Sequence, residues 1–303
     1  MIRFLFLCLS FSCYGAVLPH LPKVPHDADC ISIPNIDFIY LINLDQRPEK
    51  YKASIDQLHP FSIQPMRISA VYGWYLPKQL LHDIGLVFTP EMWRGKENVL
   101  YVKETGYYQF IGLNESCYGS PFFSSWMTPG GIGCTLSHLS VLQNAELLGF
   151  ETIWILEDDI VVLKDPHLLS QRIVELDGLV GREGWDILYT DPNHNTVGDE
   201  TKDLLEQCPM KWRPDMPHFD LRSIFEYTRL GEHFFKIGGR LRTHSMIIRK
   251  SGIEKIMDFY RTHGIFLPYD HELSFIPGLR FYVVDEAIVD CEDHESDTKD
   301  RHF

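Results

Sequence analysis

Residues 153–162, Ile-Trp-Ile-Leu-Glu-Asp-Asp-Ile-Val-Val, set three consecutive acids inside an apolar run. The run before them is rich in β-branched and aromatic side chains, which predicts a buried strand over residues 152–156. Desolvating an unpaired carboxylate costs several kcal/mol, so Glu157, Asp158 and Asp159 require something that neutralises them. On an extended backbone Glu157 and Asp159 point to one side and Asp158 to the other. Two carboxylates brought together raise each other's pKa unless a cation lies between them. A hard divalent ion with oxygen ligands, Mg²⁺ or Mn²⁺, meets that need and can carry a diphosphate too. The competing reading has the acids fan out into solvent at a strand-to-turn boundary, with Lys164 as a pairing partner.

The chain around this stretch alternates strand and helix. Residues 36–44 read as a buried strand that ends at Asp45-Gln46-Arg47-Pro48. Pro48 suits the first turn of a helix over residues 49–59, and residues 62–71 return as a strand closed by Tyr72-Gly73. Ile132, Leu136, Leu139, Leu142 and Leu147 recur at helical spacing, and Gly149 is a suitable stop. Further on, helices are predicted over 166–177 and 250–262, and strands over 185–189, 242–248 and 280–284. This order predicts an α/β fold, a mostly parallel sheet with helices on both faces. Its ligands would bind beyond the carboxyl ends of strands, where the acids sit. Residues 75–128, with scattered aromatics, glycines and prolines, read as an irregular insertion, and prolines weaken the pattern over 191–239. The domain expectation is an N-terminal signal or anchor over residues 1–20, one catalytic domain over 34–292 and a polar tail over 293–303.

Composition narrows the function. With 28 Lys and Arg against 42 Asp and Glu, the net charge of −14 removes the counterion-release term that drives nucleic-acid binding. One positive charge, a short apolar core and small residues near Gly15 predict export to a lumen or envelope. The alternative is an anchor holding the domain on the cytoplasmic face of a membrane. Outside that segment lie Cys30, Cys117, Cys134, Cys208 and Cys291, an odd set without CxxC spacing, which supports neither a disulfide framework nor a zinc site.

Four blocks in order carry a family resemblance: YLINLDQRPEK (residues 40–50), RISAVYG (67–73), GGIGCTLSHLSVLQ (130–143) and WILEDDIVV (154–162). A weaker block, THSMIIRKSGIEKIM (243–257), is followed by PYDHEL (268–273). The chain resembles glycosyltransferase family 25, the group that includes lipooligosaccharide and procollagen galactosyltransferases. The resemblance implies a GT-A-like, Rossmann-like fold. It also implies a UDP-sugar donor carrying galactose or glucose, an inverting transfer and a glycan, lipooligosaccharide or glycoprotein acceptor. It makes Glu157 and Asp159 the expected Mn²⁺ or Mg²⁺ ligands and puts Asn43, Arg47, Gly73, Ser137, His138 and Asp158 at the donor. Arg47 suits phosphate through its planar donor fork. An inverting displacement needs a group to take the acceptor's proton, and the candidates are Asp270 first, then His271 and Glu272. Gly131 and Tyr72 depart from the family's usual residues, which bears on acceptor choice. Arg240, Arg242 and Arg249 read as ordinary surface charge, with phosphate or acceptor contacts as the alternative. A silent, exported sugar-binding protein on the same fold is the alternative function.

Overall fold

The structure is a computed structural model, and it describes residues 17–24, 33–92, 98–102, 108–112, 114–192, 213–216, 220–291 and 298. Most of the expected signal or anchor and most of the polar tail lie outside the described residues. The chain opens with β1 (Phe38–Asn43), α1 (Pro48–Leu58) and β2 (Met66–Ser69), the predicted strand-helix-strand unit, with Pro48 in the first turn of the helix. Next come α2 (Lys78–Ile84), β3 (Leu86–Val87), β4 (Asn98–Val102), β5 (Tyr108–Gly112) and β6 (Pro121–Phe122). The long helix α3 (Pro129–Leu148) leads into β7 (Thr152–Glu157), β8 (Ile160–Val162), α4 (Leu168–Val180) and β9 (Ile187–Tyr189). The hairpin β10 (Tyr227–Leu230) and β11 (Phe234–Ile237) precedes β12 (Ser245–Arg249) and α5 (Lys250–His263). The short α6 (Tyr269–Leu273), β13 (Phe281–Val284) and β14 (Val289–Cys291) complete the described elements.

The central sheet has eight strands in the order β10-β11-β13-β9-β12-β7-β1-β2. Tracing the pairings, six of the eight run the same way, and only β12 and β11 are reversed. It is the mostly parallel α/β sheet expected, and helices cover both faces. Successive side chains alternate between two cores, as a pleated strand buried on both sides requires. Ile153 and Ile155 of β7 join the core shared with α3 and α5, while Trp154 and Leu156 join the core shared with α4.

Several boundaries move for physical reasons. Helix α3 begins at Pro129, ahead of the predicted start, because Thr128 caps it by accepting a hydrogen bond from the Gly131 amide. Leu147, expected on the apolar stripe, is 78% exposed. The strand predicted from residue 242 begins at Ser245, since Arg242 has φ +71°, outside the strand region. The hairpin β10/β11 was not legible because β10 is largely exposed and has no apolar alternation. Within residues 75–128, the short elements surround a small core of Leu86, Phe88, Met92, Cys117 and Phe122 packed on Phe266 and Phe275.

Two arginines expected on the surface are buried. Arg240 grips both Asp191 oxygens at 3.1 Å, and Arg249 grips both Asp177 oxygens at 2.7 Å. A buried guanidinium is tolerable only when a carboxylate compensates its charge, and charge counting along a sequence cannot see the partner.

Candidate active site

The three acids sit where β7 ends, and each meets a different environment. Glu157 Oε1 lies 2.9 Å from His138 Nε2 on α3 and accepts a hydrogen bond from Thr243 Oγ1 at 2.7 Å. Burial opposes ionisation of Glu157, but the bonds and charge of its neighbours, His138 foremost, outweigh it and hold the carboxyl below its ordinary range. Asp158 lines the smaller cavity with the other two and accepts from Asn43 Nδ2 at 2.6 Å. Asp159 is the exposed nerve of the site: its Oδ1 is buried with no hydrogen-bond partner. Burial first, then the neighbouring Glu157 charge, pushes its pKa up to about 7. Lys164 pairs with Glu286 and not with these acids, so the solvent-fan reading is not what forms.

Two cavities meet at the acids. The smaller, about 100 Å³, is lined on one side by Asn43, Lys50 and Tyr72 to Trp74, and on the other by Gly130, Ser137 and His138. The larger, about 500 Å³, is lined by Trp126, Arg242, His244, Asp270, His271 and Cys291 among others. Cys134, Glu157 and Asp159 border both. The acids thus stand at the junction of a two-lobed cleft, beyond the carboxyl ends of β1 and β7.

The structure separates the sequence-predicted residues by what they touch. Asn43 is buried and braced, accepting from Arg67 Nη2 at 2.7 Å while donating to Asp158 and to the Arg47 carbonyl. Arg47 pairs with Glu49 at 3.5 Å and borders neither cavity; Lys50, one helical turn on, does. Ser137 Oγ donates to the Gly133 carbonyl and accepts from the Val71 amide at 2.8 Å, tying α3 to the segment that ends at Gly73. That contact is tight: a Cβ on Gly73 would lie 1.7 Å from the Pro129 carbonyl oxygen, so only glycine fits. His138, fully buried, orients Glu157 and stacks on Tyr269 at 4.5 Å.

Asp270 and His271 lie together in the larger lobe, with the His271 ring 6.0 Å from that of Trp126. Asp270 accepts the Arg242 amide and the His271 amide, one on each oxygen, both at 2.9 Å. Glu272, the third candidate base, cannot serve as one. It is fully buried, pairs with the buried Arg213 and accepts the Phe266 and Leu267 amides, so no acceptor can reach it. His244 was missed from sequence. It is 3% exposed and bonds to Asp191 at 3.1 Å; burial lowers its pKa, but the Asp191 bond and charge and the nearby Cys291 thiol outweigh burial and raise it to about 9. Its signal would have been a histidine just before a predicted strand, a feature too common to stand out.

Glu157 and Asp159 could hold a divalent cation. An ionised Glu157 beside an Asp159 whose buried oxygen lacks any partner is a pair of carboxylates short of one positive charge. Glu157 and Asp159 would hold the ion; Asp158 is already engaged by Asn43.

A sequence model of glycosyltransferase family 25 (LPS biosynthesis protein) matches residues 36–271, from β1 into α6. Among curated proteins, a glycosyltransferase 25 family member of Aedes aegypti is 28% identical over 188 residues, covering 60% of this chain and 26% of that protein. Procollagen galactosyltransferase 1-B of Xenopus laevis is 24% identical, covering 55% of this chain and 24% of that protein. Inactive glycosyltransferase 25 family member 3 of Homo sapiens is 22% identical, covering 57% of this chain and 24% of that protein. The chain therefore spans about a quarter of the length of the curated relatives it matches.

Proposed function

From the premise that this chain belongs to glycosyltransferase family 25, we propose that it moves a hexose, galactose or glucose, from a UDP-sugar to a glycan or glycoconjugate hydroxyl. The transfer is metal-dependent and inverts the anomeric centre. The observation that carries this reading is the partnerless, buried Asp159 oxygen at the meeting point of two cavities. A group that costly to leave unsatisfied is retained where a bound cation completes it.

In this reading the diphosphate of the donor lies at the smaller lobe and the larger lobe takes the acceptor. Lys50 and the first turn of α3, whose amides carry partial positive charge, favour the phosphates. Mn²⁺ or Mg²⁺ held by Glu157 and Asp159 would offset the charge that grows on departing UDP. His138 and Thr243 fix the Glu157 carboxylate, and Asn43 holds Asp158 by donating to it. Asp270 takes the acceptor's proton: its two amide bonds set its orientation, and each oxygen keeps a lone pair for the incoming hydroxyl. The His271 and Trp126 rings, 6.0 Å apart and tilted by 55°, offer aromatic faces beside it for a sugar ring.

Calorimetric titration with UDP, with and without Mn²⁺, tests the reading. Metal-dependent binding supports it, and absence of UDP binding under both conditions overturns it. A screen of UDP-hexoses for UDP release with glycan acceptors then identifies the sugar. A second reading keeps the fold without turnover; it is favoured by the human relative's name, which calls that protein inactive. UDP binding without UDP release from any donor would establish it. Export or residence in a lumen is part of the proposal, with the cytoplasmic face of a membrane as the alternative. No helix among the described residues is long and apolar enough to cross a bilayer. Fractionation of the tagged full chain decides the compartment.

A further inference from the structure

His244 and Cys291 line the larger lobe, Asp290 lies beside them, and the transfer reaction as described uses none of the three. One imidazole nitrogen, one carboxylate oxygen and the sulfur all lie within 4.8 Å of one another. Topology brings them together: His244 sits just before β12, while Asp290 and Cys291 lie on β14, which pairs with β8 directly after the acids. This is why a search for cysteine spacing along the chain finds no zinc motif.

A second observation points to a ligand. His244 Nε2 is anchored by Asp191 Oδ1 at 3.1 Å, and Asp191 is itself buried and gripped by Arg240. The other ring nitrogen, Nδ1, is buried with no hydrogen bond of ordinary geometry, although the Cys291 thiol is close enough to favour the protonated ring. An imidazole held by a carboxylate through one nitrogen and unsatisfied at the other is the arrangement that orients a metal-ligating histidine. Other groups also touch the site. Asp290 Oδ1 lies 3.8 Å from His244 Nε2 and accepts the Cys291 amide at 2.8 Å. Arg242 Nη1 lies 3.2 Å from the Cys291 sulfur. Arg242 is exposed, so its guanidinium can swing aside for a cation.

We propose that His244, Asp290 and Cys291 form a second metal site that takes a zinc-type ion. The mixed nitrogen, sulfur and oxygen donors suit such an ion, whereas the oxygen-only pair Glu157 and Asp159 suits a hard one. Three protein ligands would leave one tetrahedral position for water. Binding converts thiol to thiolate and displaces the imidazole's proton where present, so protons are released to solvent. The bound ion would clip the β8/β14 pair, which follows Asp159 directly, to the start of β12. Cys134, His138 and Glu157 also lie within 4.8 Å of one another, but His138 Nε2 is already bonded to Glu157 and belongs to the acid site.

Cobalt(II) is the probe, because a thiolate ligand gives it a sulfur-to-metal charge-transfer band. The full chain, stripped with a chelator, should develop that band at one equivalent of Co²⁺. Cys291→Ser should abolish it, while Cys134→Ser and Asp159→Asn should keep it. No band in the unsubstituted protein, a band that survives Cys291→Ser, or one lost with Cys134→Ser overturns the proposal. In the unsubstituted protein Zn²⁺ should also abolish iodoacetamide labelling of Cys291, read by peptide mapping; unchanged labelling overturns it without any variant. No readout here involves UDP or turnover, so this proposal and the transferase reading fail separately.

Discussion

Asp159 joins two behaviours that a surface acid would not show together. Its pKa is raised from 3.8 to about 7, so in metal-free protein it adds stability below about pH 4 that is lost as pH rises through about 7. His244 adds a second loss with the same sign, from its ordinary 6.5 through about 9. Urea unfolding of chelated protein should therefore show stability falling across both windows, and Mn²⁺ should flatten the lower one. Asp159→Asn should remove the lower window, raise the melting temperature of chelated protein at pH 8, and abolish the heat of Mn²⁺-dependent UDP binding. If the variant binds UDP with Mn²⁺ as the unsubstituted protein does, Asp159 is not a ligand. Asp270→Asn should lower turnover by about 100-fold or more, the scale of a lost general base, and leave UDP affinity unchanged. Residue roles of this kind were half legible. The acids announced themselves by interrupting an apolar strand, whereas His244 and Cys291 had no local pattern to betray them.

At the scale of elements, the cleft depends on how closely the segment after β2 approaches α3. A Cβ on Gly133 would lie 2.3 Å from the Val71 carbonyl oxygen, a backbone atom that cannot yield like a flexible side chain. Gly133→Ala should cost about 3 kcal/mol, the upper range for overpacking, and weaken UDP binding in protein that still folds, because Tyr72 to Trp74 wall the smaller lobe. Ser137→Ala should cost about 1 kcal/mol through the lost bond to the Val71 amide. Denaturant midpoints measured on both variants check the order. The helix itself was legible in sequence from its apolar period. Its polar residues were harder, because Thr135, Ser137 and Ser140 are buried by returning their hydroxyls to carbonyls four residues back.

For the whole molecule, the ion pair between Arg213 and Glu272 joins the segment before the β10/β11 hairpin to the short helix that carries Asp270. Both side chains are fully buried, and Arg213 also lies over the Phe259 ring at 4.8 Å and donates to the His263 carbonyl. Arg213→Met alone strands a buried carboxylate and should lower the melting temperature by on the order of 10 °C. Adding Glu272→Leu should recover much of that loss. A single variant as stable as the unsubstituted protein would show that the pair contributes little. By itself the sequence determined the order of the main strands and helices outside residues 75–128 and 191–239, the sheet class and the acids at a strand's end, because backbone periodicity and local desolvation are written in neighbouring residues. Only the tertiary structure decided which charges are buried in pairs, that Glu272 is sealed while Asp270 faces the cleft, and that His244, Asp290 and Cys291 meet. Those outcomes depend on contacts between residues far apart in the chain, whose energies no local pattern encodes.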